Sequence, residues 1–73
     1  MSKRLNAVIT KEGKFYVANC IELGVVSQGM SIEEAQSNLR EAVELYLESF
    51  GTEDLPETPG EIVLYSLEVA VGA

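Results

Sequence analysis

Apolar and polar residues alternate with a period of two near both ends of the chain, and with a period near 3.6 between them. Residues 5–11 put Leu5, Ala7 and Ile9 on one side and Asn6, Val8 and Thr10 on the other, as a strand would. Glu12-Gly13 follows as a turn, because glycine enters positive φ without steric cost. Residues 15–20 return as a second strand, with Phe15 and Val17 on one face and Tyr16, Ala18 and Cys20 on the other. Two β-prone runs joined by a short glycine-containing link predict a hairpin. Residues 21–24 connect onward, anchored by Ile21 and Leu23, and 25–28 form a short third strand ended by Gly29.

The period then changes. Ser31 is placed to cap a helix, its hydroxyl accepting the Glu34 amide while the Glu34 carboxylate reaches back to the Ser31 amide. Glu33 and Glu34 suit the positive end of the helix dipole. Ile32, Ala35, Leu39, Ala42, Val43, Tyr46, Leu47 and Phe50 fall in one sector about 140° wide, the stripe of a helix lying on a sheet. Glu33, Glu34, Glu41, Glu44 and Glu48 fall on the far side, and Leu45 flanks them. Gly51 is expected to end the helix as a left-handed cap.

Residues 52–60 are a proline-punctuated loop, and 61–71 alternate again as a last strand. Val63, Tyr65, Leu67, Val69 and Val71 line one side of it; Ile62, Leu64, Ser66, Glu68 and Ala70 line the other. The predicted fold is α+β in the order β-β-β-α-β: an antiparallel or mixed sheet with one long helix packed on one face, in a single domain spanning 1–73. The face away from the helix is expected to hold some of Val8, Tyr16, Ala18, Ile62 and Leu64, depending on register. That is more apolar surface than one helix covers, and it predicts a contact surface for a second subunit or a partner.

Composition narrows the chemistry. Twelve acidic residues against five basic give a net charge of -7, and four of the basic residues lie within the first fourteen positions. Lys3, Arg4, Lys11 and Lys14 offer only a small basic patch, so direct nucleic-acid binding is the weaker reading and a basic protein the better-matched partner. Solubility alone is the ordinary explanation of such a charge. Histidine is absent and there is one cysteine, so neither an internal disulfide nor a Cys/His metal cluster is expected, and no cofactor is. Cys20 has no base beside it in sequence, and its alternation assigns it to the sheet as a buried thiol. Glu53, Asp54 and Glu57 are the only carboxylates grouped in a loop, with a spacing unlike that of a calcium-caging loop. No nucleophile with a base, no carboxylate pair in a cleft and no phosphate cradle emerges, so catalysis is not expected. Met1–Arg4 with the short interrupted apolar run after it does not read as an export signal, and no stretch approaches a membrane span. With the free thiol, this favours the cytoplasm. A domain of 73 residues buries a thin core, which predicts a homo-oligomer, dimer or tetramer, or another partner.

Taken together, Glu12, Gly13, Phe15/Tyr16, Val17, Ala18, Cys20, Glu22, Leu23, Gly24, Val25 and Ser27-Gln28-Gly29 fall in a characteristic order. They are followed by Glu33-Glu34-Ala35, Asn38-Leu39, Glu41-Ala42 and Tyr46-Leu47. This pattern, across residues 5–50, resembles the HicB-like antitoxin family. Ile21 stands where that family usually has proline, and Met30-Ser31 where it has Asp-Thr. The resemblance implies a partial RNase H-like or double-stranded-RNA-binding-like fold. It also implies a role in neutralising a HicA-type toxin, a small basic endoribonuclease that cleaves messenger RNA. Many such proteins carry a further C-terminal DNA-binding domain. With the sequence ending at Ala73 just after the last strand, a short form without that domain is expected, and direct DNA binding is not. The alternative is an orphan HicB-like, homo-oligomeric protein-binding module. In either case the candidate contacts are Glu41, Glu44, Leu45 and Glu48 on the helix and Ile62 and Leu64 on the last strand.

Overall fold

The computed structural model describes residues 4–52, 55 and 60–72. Three strands precede one helix: β1 (Ala7–Glu12), β2 (Phe15–Cys20), β3 (Val25–Gly29) and α1 (Ile32–Phe50). The strands form an antiparallel meander in the order β1-β2-β3.

The first turn lies one residue later than the sequence suggests. Glu12 pairs with Phe15, so Gly13 and Lys14 make a two-residue loop. Gly13 has φ +62 and Lys14 is not positive, the combination of a type II′ turn, whose twist matches the strands it joins. The second turn, residues 21–24, is closed by the Gly24 amide donating to the Cys20 carbonyl at 2.8 Å. The Ile21 amide donates to the Asn6 carbonyl at 2.9 Å, carrying the bonding between β1 and β2 one step beyond both strands.

Register settles the faces. Ala7, Cys20 and Val25 are in line; so are Ile9, Ala18 and Ser27, and Lys11, Tyr16 and Gly29. These residues form the helix side, where Ala18 and Cys20 are buried. Tyr16 and Ala18 therefore lie beneath the helix rather than on the opposite face. There Val8 keeps company with Phe15, Val17 and Val26. Alternation had grouped Tyr16 and Ala18 with Cys20 correctly; only cross-strand pairing shows which group meets α1.

Ser31 caps α1 as its sequence suggests: its Oγ accepts the Glu34 amide at 3.1 Å. The return bond falls one residue earlier than a standard capping box, with Glu34 Oε1 accepting the Met30 amide at 3.0 Å. At the other end the Gly51 amide donates to the Leu47 carbonyl at 2.8 Å. Gly51 has φ 79 and ψ -176, which is not the left-handed helical cap but an extended region open in practice to glycine alone.

The entry to the helix is very tight. A β-carbon on Gly29 would stand 2.6 Å from the Ala35 nitrogen and under 3 Å from Glu34 atoms, so the end of β3 runs against the first turn of α1 with no space for a side chain. Asn38 adds a second tie, its Nδ2 donating to the Gln28 carbonyl at 2.8 Å. The helix is thus clamped over β3.

The fully buried core is small: Ala18, Cys20, Ala35 and Leu39, with Leu5, Ile9, Tyr16, Leu23, Val25 and Val43 packed around it. Two of these four described residues are alanines, and one of them, Ala35, lies where the helix backbone meets Gly29.

The fourth strand predicted over 61–71 is not part of this sheet. Residues 60–72 take up no strand or helix and are exposed throughout. Val63, Leu64, Tyr65, Leu67, Val69 and Val71 are each at least 65% accessible. Ile62 and Leu64 accordingly lie on a projecting segment, not on a sheet face. The period of two records which side chains would share a face, but a strand also needs a neighbour for its amides and carbonyls. The radius of gyration is 14.7 Å, against about 11 Å for a compact chain of this length, with a long dimension of 51 Å. The described structure is therefore an α+β body of three antiparallel strands and one helix, with an apolar arm.

Candidate protein-binding surfaces

Two surfaces follow from this arrangement. The first is the outward side of α1. Glu41, Glu44, Leu45 and Glu48 are all exposed on α1, with Leu45 57% accessible among the carboxylates and Glu44 at the rim of the groove described next. A helix positions them rigidly at three- and four-residue spacings, so the acidic groups form a fixed array rather than a mobile fringe. Ile62 and Leu64 are also exposed but belong to the arm. The six residues singled out by sequence thus divide between two elements rather than forming one patch.

The second surface is a groove, and sequence reading missed it. Leu5, Ala7 and Ile9 lie along one wall and Leu39, Val43 and Leu47 of α1 along the other, with Arg4, Asn6, Gln36, Arg40 and Glu44 adding polar groups to the lining. Cys20 and Ala18 lie at its floor, Thr52 and Leu55 close one end, and it measures about 1150 Å³. It exists because α1 is pinned to β3 at Gly29 and Asn38, leaving the C-terminal half of its apolar stripe only half-covered by the described residues. Val43, Tyr46 and Leu47 are only half-buried, and Phe50 is 69% accessible, its ring 4.9 Å from that of Tyr46. The groove runs along the outer edge of β1, which among the described residues pairs with β2 alone.

The start of β1 is held in place from the opposite turn. Glu22 accepts the Asn6 backbone amide at 2.8 Å and the Asn6 side-chain amide at 2.7 Å. The backbone bond from Asn6 is the main reason the Glu22 carboxyl stays below its ordinary range; desolvation works against it, and the side-chain bond adds to the lowering. No periodic signal marks this pair, which lies sixteen residues apart in the chain.

Cys20 is 2% accessible and unpaired with any other sulfur. Lys11 is drawn over the Tyr16 ring, its Nζ 5.6 Å from the centroid, on the helix side of the hairpin. Among the described residues no group of carboxylate or thiol ligands gathers for a metal ion. The loop carboxylates Glu53, Asp54 and Glu57 lie outside the described residues. No described helix is long and apolar enough to cross a membrane.

A UPF0150 protein from Helicobacter pylori (strain J99 / ATCC 700824) is 48% identical to this chain over 52 residues, which cover 70% of the chain and 72% of that protein. The chain belongs to the UPF0150 family. That designation names no activity. No family model matches the chain, and no solved structure does.

Proposed function

We propose that this UPF0150 protein is a HicB-like antitoxin, a cytoplasmic protein that binds and sterically neutralises a HicA-type mRNA-cleaving toxin. The observation carrying the proposal is the fixed carboxylate array of α1, with Leu45 exposed in its midst, on a body of net charge -7. A ribonuclease must present positive charge to its substrate, and an acidic helix with an apolar centre complements such a surface. Inhibition is then occlusion: the protein supplies no catalytic group, metal or cofactor. The ordered motif from Glu12 to Leu47 supports the same assignment.

Residues 61–71 complete the fold in the working assembly, giving the order β-β-β-α-β and a partial RNase H-like sheet. Their strict alternation and uncovered apolar side chains support that role.

The test is direct. The purified protein, mixed with a HicA-type toxin, forms a stable complex on size-exclusion chromatography and abolishes RNA cleavage at a stoichiometric ratio. A toxin that stays fully active beside a molar excess of the protein refutes the assignment.

An orphan homo-oligomeric protein-binding module is the second reading. The size of the buried core favours it, since four residues are little to hold a free-standing domain. It predicts self-association without any response to a toxin.

A further inference from the structure

We infer that two copies of this chain exchange their C-terminal arms, residues 61–71 of each pairing with the free edge of β1 in the other and filling its groove. The inference rests on the strand role of 61–71 given above and is independent of the toxin. It is an interface of strand addition, in which backbone bonds supply affinity and alternate side chains supply fit.

The groove and the arm match in three respects. The first is backbone. β1 is a terminal strand, so among the described residues the amides and carbonyls that point away from β2 have no strand to bond. On the opposite edge α1 already reaches down to β3, with Asn38 holding the Gln28 carbonyl. β3 is the other terminal strand, and what distinguishes the β1 edge is the groove that runs beside it.

The second is the asymmetry of faces. A strand laid beside β1 turns one row of side chains under α1 and the other toward the uncovered side of the sheet. The arm has an unbroken apolar row, Val63, Tyr65, Leu67, Val69 and Val71, suited to Leu5, Ile9, Val43 and Leu47 within the groove's mixed lining. Its other row mixes Ile62 and Leu64 with Ser66 and Glu68. That mixture resembles the far face of the sheet, where Val8 and Val17 lie among Thr10, Asn19 and Gln28.

The third is that arm and groove stand apart within the chain. The arm extends the molecule to 51 Å and its apolar row remains exposed, while the groove beside β1 is open. An arm and a groove that are both left over in one molecule are both satisfied when a two-fold axis relates two molecules. Each copy gives one arm and receives one, so the assembly closes at two copies, with the received arm as the new outer strand of each sheet. The exchange also remedies the small core, since Val43 and Leu47 gain a surface beneath them.

Solution mass and NMR on the full chain test the exchange. The expected mass is twice 7.9 kDa. In a sample mixing labelled and unlabelled chains, isotope-filtered spectra show contacts between residues 61–71 of one chain and Leu5, Ile9 or Val43 of the other. Replacing Leu67→Asp and Val69→Asp together returns the mass to that of a monomer while the helical signal persists, because the arm is not part of the body. Four outcomes overturn the exchange. Contacts confined to labelled chains, at monomer mass, mean that the arm folds into its own groove; the strand reading then stands and the exchange falls. Chemical shifts of 61–71 without β character overturn both. A dimer that survives the double arm substitution is held by some other surface, and a groove that fills only when a basic partner is added belongs to that partner.

Discussion

Glu22 takes both amide groups of Asn6, backbone and side chain, at 2.8 and 2.7 Å, and so ties the turn after β2 to the entry of β1. The carboxyl is held below its ordinary range chiefly by the backbone amide. A carboxyl lowered by folding contributes stability that is complete above its unfolded value, and that is lost as pH falls through the folded one. The Glu22→Gln variant should therefore be less stable than the parent near neutrality, by about 1 kcal/mol for bonds this exposed. The difference should shrink as the solution is acidified below the ordinary carboxylate range. Urea titrations of both proteins at several pH values check this, and a difference independent of pH contradicts it.

Gly29 has no room for even one methyl group. Its β-carbon would meet the backbone of Ala35 and Glu34, which cannot swing aside as a side chain tip would. Gly29→Ala should destabilise the body by about 1–3 kcal/mol, the usual cost of overpacking. A denaturation midpoint unchanged from the parent would mean that β3 and α1 lie farther apart than described.

Ser31 supplies one acceptor at the helix N-terminus. Replacing it with alanine should cost about 1 kcal/mol, while glycine costs only a few tenths. Thermal unfolding of the two variants side by side should give that order; the reverse order would show that the hydroxyl is not the cap.

Charge reversal on α1 addresses the toxin. Glu41→Lys, Glu44→Lys and Glu48→Lys together should weaken a complex with a HicA-type toxin at least tenfold, mostly by slowing association, and leave helix content intact. Raising salt on the parent should move the association rate the same way. Association rates equal in parent and triple variant would place the toxin elsewhere.

Cys20 should react slowly with alkylating reagents under native conditions, because it is 2% accessible at the groove floor. Mass spectrometry over time reads this, and unfolding in urea should restore the speed of a free thiol. If arms are exchanged, the Leu67→Asp/Val69→Asp chain should react faster than the parent. Equal rates would mean that nothing covers the groove.

The capped helix was legible because nineteen residues repeat one period between two strong end signals, Ser31 and Gly51. The hairpin was legible from Gly13 and the alternation around it. Other features depend on partners remote in sequence. Gly29 reads as the end of a strand, and only the docked helix shows it as a place of contact. Asn6 and Glu22 look like two unrelated surface residues until the meander brings them together. Residues 61–71 read as a strand because side-chain alternation is local, whereas pairing is not. Glu41, Glu44, Leu45 and Glu48 are exposed as expected, since a helical period fixes both its inner and outer sides. The groove had no such signal: it is a product of where α1 is anchored.

Gly51 has a bearing on everything downstream. Its backbone geometry is closed to other residues, so the chain leaves α1 on a heading that a single substitution would reset. The three strands and the helix all precede that point, and their mutual contacts would scarcely register the change. The protein's sociability would: one dihedral pair governs where the rest of the chain is delivered, and with it which neighbours the molecule can reach.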